Sequence, residues 1–223
     1  MNALQRPHAV VAFRSFSIRS HPSLAYLQPI DTKTTSISAT PSGLTSVQQS
    51  CLDSAIRVDQ AGEVAANWIY KGQMAMLGRD REAGPVIQKM WDQEKNHLTV
   101  MNKLQLQHNV RPTVLWEVAK VAGFGLGAVT ALMGKEAAMA CTEAVETIIG
   151  EHYDDQLQEL STIPSTHPSI PLLREVITEL RDDELEHLDT AVAHDAQKTP
   201  AHALLSTVIS MGCKVAIELC KKY

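Results

Sequence analysis

Aromatic side chains are scarce, 4% of 223 residues, although 44% of the chain is hydrophobic. Together with the lack of any stretch that alternates apolar and polar residues, this excludes a sheet-built core and points to helices. Cysteine is also sparse. Cys51, Cys141, Cys213 and Cys220 form no Cys-x-x-Cys pair, which excludes a zinc ribbon or an iron–sulfur motif and leaves them as reduced packing residues. No basic cluster stands out and the formal net charge is -5, which argues against a nucleic-acid partner. Long uncharged runs are missing as well. Val121 to Gly134 and Ala203 to Cys213 are the two that stand out, and both fall short of the roughly 20 apolar residues of a membrane span. They suit an interfacial helix, a contact with another protein, or burial within a bundle. Gly123, Gly125 and Gly127 have no strand before them, so close helix packing explains them better than a phosphate loop.

What the chain does contain is one arrangement written twice. A single glutamate on an apolar helical stripe is followed, one helix later, by Glu-x-x-His: Glu63 with Glu94 and His97, then Glu146 with Glu184 and His187. Residues three apart share a helical face, so each Glu-x-x-His aims a carboxylate and an imidazole at one spot. The stripes support burial. Ile87, Met90, Leu98 and Met101 share the face of Glu94, and Ile177, Leu180, Leu188 and Ala191 that of Glu184. Each lone glutamate has a tyrosine seven residues later, Tyr70 and Tyr153.

Four ionised carboxylates buried together would be very costly, whereas two divalent cations cancel their charge. Glutamate and imidazole ligands suit iron first and manganese second. Two glutamates plus two Glu-x-x-His pairs, facing inward from four helices, are the ligand set of a ferritin-like di-metal bundle. The fold expected is therefore all-α, a ferritin-like four-helix di-metal bundle with an additional apolar helix in each duplicated half. Two Fe(II) ions there could pass two electrons to dioxygen, chemistry that serves hydroxylation, desaturation or ferroxidation alike. Tyr70, His152 and Tyr153 are candidates for orienting ligands from behind; as ordinary core or boundary residues, His152 and Tyr153 are equally well explained. Glu143, one turn before Glu146, has no counterpart tyrosine and is expected to support a ligand from behind or to face solvent.

The first fifty residues hold Arg6, Arg14, Arg19 and Lys33 against one acid, Asp31, and are rich in serine. That composition reads as a mitochondrial transit peptide and disordered leader over 1–45. The remainder, 46–223, is expected to be one helical domain with an internal repeat, 46–133 and 135–221. Helices are expected near 46–78, 80–108, 112–133, 135–161, 169–197 and 200–221, with Pro112 and Pro200 at helix starts and Thr199 as a cap.

The segments RVDQAGE (Arg57 to Glu63), WDQEKNHL (Trp91 to Leu98), ACTEAVE (Ala140 to Glu146), His152–Tyr153 and RDDELEHL (Arg181 to Leu188) together resemble the demethoxyubiquinone hydroxylases of mitochondrial ubiquinone biosynthesis. The likeness runs from about Ala55 to Cys220. In that family an acidic residue often follows the glutamate at position 146, where this chain has Thr147. The resemblance implies a di-iron monooxygenase with two irons per chain, acting on a polyprenyl quinone with dioxygen. Glu63, Glu94 and His97 would bind one iron, and Glu146, Glu184 and His187 the other, with carboxylates able to bridge. Reducing equivalents would come ultimately from NADH, although no NADH-binding motif is visible. The resemblance also implies peripheral attachment to the matrix side of the inner membrane and a lipid-binding partner protein from the same biosynthesis. A ferroxidase or iron-storage protein, or a non-catalytic quinone-binding assembly protein, could use the same bundle.

Overall fold

Thr45 starts the first long helix with a reciprocal cap: its hydroxyl accepts from Gln48 N (3.2 Å) while Gln48 Oε1 accepts from Thr45 N (3.0 Å). In this computed structural model, which describes residues 21–28 and 34–223, all regular structure among the described residues is helical. Two short helices, α1 (Leu24–Leu27) and α2 (Thr35–Ser38), precede α3 (Ser46–Leu77), α4 (Ala83–Gln107), α5 (Trp116–Leu132), α6 (Lys135–Leu160), α7 (Ser169–Ala193) and α8 (His202–Lys222). A 3-10 turn, Ala196–Lys198, links the last two.

The six long helices fall close to their expected places, and the ends that differ have local causes. Helix α5 begins four residues after Pro112, because Val114 N donates to Tyr223 O (3.1 Å) and ties this stretch to the C-terminal end of α8. Helix α7 ends at Ala193, and Asp195 at φ 68° turns the chain into the 3-10 segment. Ala201 at φ 55° precedes α8, so neither Pro200 nor Thr199 starts it; the Thr199 hydroxyl is buried without a hydrogen-bond partner.

Helix α3 lies between α4 and α5, and α6 between α7 and α8. The glycines explain how closely α5 approaches. A Cβ on Gly127 would sit 2.0 Å from Ile69 O, and one on Gly72 would sit 2.3 Å from Phe124 O. These backbones touch where any larger residue would force them apart. Gly123 takes part in the same contact, whereas Gly125 faces open space.

Two apolar clusters flank a polar layer. One gathers Leu52, Ile56, Met101, Leu104, Ile177 and Leu180, and the other Ile87, Met90, Met139 and Ala191. Leu98 and Leu188, at the edges of their stripes, are half-buried.

Part of the segment expected to be a disordered leader is folded onto the first cluster. Tyr26 is fully buried and its hydroxyl donates to Gln107 Oε1 (2.8 Å), while Glu179 accepts from Ser23 N (2.8 Å). Composition alone cannot reveal a tyrosine that anchors a leader to the core. The basic residues that suggested a transit peptide, Arg6, Arg14, Arg19 and Lys33, lie outside the described residues.

Outside the bundle, α5 and α8 expose apolar side chains, among them Val121, Val129 and Leu132 on one and Leu204, Val208 and Met211 on the other. By length and composition α8 could cross a membrane, since Lys214 and Glu218 alone interrupt His202 to Leu219. Counting uncharged runs had excluded any span; the whole helix meets the length criterion.

Candidate metal centre

Midway along α3, α4, α6 and α7, between the two apolar clusters, all six residues of the repeated pattern converge. Each is buried, none more than 4% exposed. Glu63, Glu94, His97 and Glu184 form one group and Glu94, Glu146, Glu184 and His187 another, each with its ligand atoms within 4.8 Å of one another. Glu94 and Glu184 thus belong to both groups. The resemblance implied Glu63/Glu94/His97 and Glu146/Glu184/His187 with carboxylates able to bridge; in the structure Glu94 and Glu184 stand between the two sets.

The imidazoles face inward through Nδ1. His187 Nδ1 is 3.1 Å from Glu94 Oε1 and from Glu184 Oε2; His97 Nδ1 is 3.2 Å from Glu184 Oε1 and 3.7 Å from Glu63 Oε2. Their outer nitrogens are held from behind. His97 Nε2 donates to Asp183 Oδ2 (3.0 Å) and His187 Nε2 to Gln93 Oε1 (3.2 Å), which leaves Nδ1 as the inward-facing atom of each ring.

The two tyrosines cross between halves. Tyr70 OH donates to Glu146 Oε1 (3.0 Å) and Tyr153 OH to Glu63 Oε1 (2.7 Å). Each fixes one carboxylate oxygen and leaves the other for the centre. Burial, with nearby carboxylates, pushes both phenols well above their ordinary range, so they stay neutral donors.

Without a cation this layer is electrostatically frustrated. Burial is the main cause that raises Glu63, Glu94 and Glu146, and neighbouring carboxylates add to it. Burial also acts on Glu184, but hydrogen bonds from His187 and His97 outweigh it and hold Glu184 low, at about 2. Burial disfavours the charged imidazoles too, yet their carboxylate partners raise His97 well above its usual value and His187 to about 11. Glu63 Oε2 and Glu94 Oε2 have no hydrogen-bond partner. Leaving a buried polar atom unpaired costs about 1–3 kcal/mol, and such oxygens in a buried carboxylate layer fit divalent cations.

An apolar cavity of about 390 Å³ opens beside this layer, enclosed by α3, α5, α6 and α8. Glu63, Glu146, Glu184 and Tyr153 reach its inner wall. Its size falls in the range of small-molecule sites.

His152 does not touch the ligands. Its Nε2 lies 3.5 Å from Asp59 Oδ1, and both residues line the cavity. Glu143 stays out of the layer, where it accepts from His202 Nε2 (2.6 Å) and Gln197 Nε2 (3.1 Å). Sequence reasoning missed Asp59, Gln93, Gln156 and Asp183. Asp183 was hidden by its charged neighbours, which look like a solvated face; Asp59 could have been found, because it lies one turn before Glu63 on the same face.

The family model described as "Ubiquinone biosynthesis protein COQ7" matches residues 50–220. A mouse protein named "NADPH-dependent 3-demethoxyubiquinone 3-hydroxylase, mitochondrial" is 52% identical over 184 residues, 82% of this chain and 83% of that protein. A Saccharomyces cerevisiae protein named "5-demethoxyubiquinone hydroxylase, mitochondrial" is 46% identical, covering 78% of this chain and 79% of its own length. A Rhodospirillum rubrum protein named "3-demethoxyubiquinol 3-hydroxylase" is 45% identical, covering 74% and 76%.

Proposed function

The chain belongs to the COQ7 family of ubiquinone biosynthesis proteins, and from that premise we propose that it is a mitochondrial monooxygenase that hydroxylates the ring of a demethoxyubiquinone. The observation that carries the proposal is an apolar cavity whose inner wall is reached by Glu63, Glu146 and Glu184 of the buried layer of four glutamates and two histidines. A soluble ferroxidase would be served by a polar route for ions. This cavity instead suits an apolar ring with a hydrocarbon tail.

Two iron ions per chain are proposed, held in a ferritin-like arrangement of α3, α4, α6 and α7 by Glu63, Glu94, His97, Glu146, Glu184 and His187, with Glu94 and Glu184 shared. When bound, such a pair supplies the electron transfer to dioxygen that inserts one oxygen atom at a ring carbon and releases the other as water. The protein's own residues do the rest. Asp183 and Gln93 fix the imidazoles, Tyr70 and Tyr153 hold Glu146 and Glu63 in place, and the walls of α5 and α8 exclude water from the ring.

Reducing equivalents are proposed to come from a nicotinamide dinucleotide. The resemblance implied NADH, whereas the mouse relative's name specifies NADPH. Peripheral attachment to the matrix side of the inner membrane is supported by the apolar side chains exposed on α5 and α8, which would also serve a lipid-binding partner protein. The test is anaerobic loading with Fe(II), then addition of isotopically labelled dioxygen, demethoxyubiquinone and NADH or NADPH in parallel, with mass analysis of the quinone. One labelled oxygen in the ring is expected. Iron oxidation with the quinone unchanged under both reductants would overturn the proposal in favour of a ferroxidase.

A further inference from the structure

The two halves repeat the six residues and their tyrosines, and they differ at a corner that faces the apolar cavity. Gln73 and Gln156 each stand ten residues after a lone glutamate, and each donates to the residue four before the opposite glutamate. In one half the pair is closed: Gln73 Nε2 bonds Thr142 Oγ1 (3.3 Å) and Ala138 O (3.1 Å). In the other half threonine is replaced by a carboxylate. Gln156 Nε2 bonds Asp59 Oδ1 (2.8 Å), and the residue before the tyrosine, Ile69 in the first half, is His152.

The substitution falls where the apolar cavity lies. Asp59 and His152 line that cavity; Thr142 and Gln73 do not. Asp59 is 3% exposed, and its Oδ2 has no hydrogen-bond partner; His152 Nε2 beside it has none either. A core that can build this corner from threonine and isoleucine has instead built it from an acid and an imidazole, each with an atom unsatisfied. No metal group includes them. The remaining polar groups on the cavity wall are the proposed metal ligands and Tyr153, whose hydroxyl is already given to Glu63.

We infer that Asp59 Oδ2 is the hydrogen-bonding site for a ring oxygen of the quinone, with Gln156 fixing the carboxyl group and His152 beside it as a second polar contact. This deepens the quinone hydroxylase reading and rests on it. Burial pushes the Asp59 carboxyl up, against the lowering by the neighbouring His152 and by the hydrogen bond from Gln156. Position supports the assignment. Asp59 precedes Glu63 by four residues, about 6 Å of helical rise, a distance comparable with the breadth of a substituted six-membered ring. An oxygen held at Asp59 therefore leaves the opposite edge of the ring against the metal layer.

The internal repeat suggests the test variant. Asp59→Thr recreates the Gln–Thr hydrogen bond that the first half already uses, so the helix packing has a precedent within the same chain. Binding of a short-tailed demethoxyubiquinone and of an alkylbenzene with the same tail but no ring oxygens is measured by equilibrium dialysis against the iron-loaded full chain. Iron content and melting temperature are measured alongside. The wild type should prefer the quinone. In Asp59→Thr, quinone affinity should fall tenfold or more, with alkylbenzene affinity and iron content unchanged, and Asp59→Asn, whose amide can donate, should recover most of the loss. Unchanged quinone binding in Asp59→Thr would overturn the assignment, as would a parallel loss of both ligands. A wild type that binds neither, or both equally, would overturn the quinone reading itself, and the Asp59 site with it.

Discussion

Replacing Glu146 by Gln should have opposite effects on the metal-free and the metal-loaded protein. Glu146 is 2% exposed, and its carboxyl group is pushed up by burial and by Glu184 and Glu94. A neutral amide of the same shape can still accept from the Tyr70 hydroxyl, so the metal-free variant should melt no lower than the parent. The loaded protein loses a direct negative ligand. Changes to groups that merely support a ligand cost about 10–100-fold in metal affinity, so this loss should exceed about 100-fold, ~2.7 kcal/mol or more, at the position shared with Glu94, Glu184 and His187. Glu143→Gln, one turn away, weakens only a partly exposed contact with His202 and Gln197. Its cost should stay within about 1 kcal/mol, a shift of a few degrees in a chain this size, with two irons retained. The assay is iron content per chain, thermal melting with and without Fe(II), and single-turnover product for the two variants side by side. Loss of iron in Glu143→Gln with retention in Glu146→Gln would refute the register of α6 and the two-group reading of the site.

Charged substitutions at exposed apolar positions, Val121→Glu with Leu204→Glu and Met211→Glu, should weaken flotation with liposomes and leave iron content intact; unchanged flotation would exclude these faces as the membrane contact. His108, buried and hydrogen-bonded through Nδ1 to Thr40, is lowered by burial and then by His167 to about 4 from 6.5. The unfolded chain therefore takes up this proton first, so the stability it contributes is complete above about pH 6.5 and is lost as pH falls toward 4, with a ceiling of about 3 kcal/mol. Melting of His108→Gln should accordingly decline less between pH 6.5 and 4 than melting of the parent, and equal slopes would count against this. Deleting residues 1–20 should leave melting and iron content unchanged, whereas deleting 1–45 removes Tyr26 and Ile37 from the core and should cost several kcal/mol, read as a drop in melting temperature.

The convergence of the six residues was legible because helical spacing is rigid. Once Glu94 and His97 occupy one face of an apolar stripe, burial and convergence leave little freedom, and the same holds for Glu184 and His187. The tyrosines were legible as a spacing but not as donors. That each serves the glutamate of the other half depends on how α3 and α6 face one another, which no one-helix pattern contains. Asp183 and Gln93 were illegible for a related reason: a residue on the flank of a charged helix looks the same whether it faces water or a histidine on the next helix. Helix ends went astray at Pro112 and Thr199, where contacts distant in sequence decide the backbone, such as the tie between Val114 and the last residue of the chain.

The glycine contact between α3 and α5 leaves the cavity with two unlike walls. On the α5 side, Gly123 lines the cavity where main chain meets main chain, a Cβ there falling 2.7 Å from Ala65 O, and such a junction has no side chain whose rotamer could change to make room. On the α8 side the wall consists of side chains such as Val208, Ile209 and Ile217, and the nearby Gly212 meets nothing within 4 Å. Any swelling needed to admit a bulkier occupant falls on α8, while the wall joined to the helix of Glu63 keeps its distance. The depth at which a ring sits is thus a constant of the fold, and the breadth of the entrance is its variable.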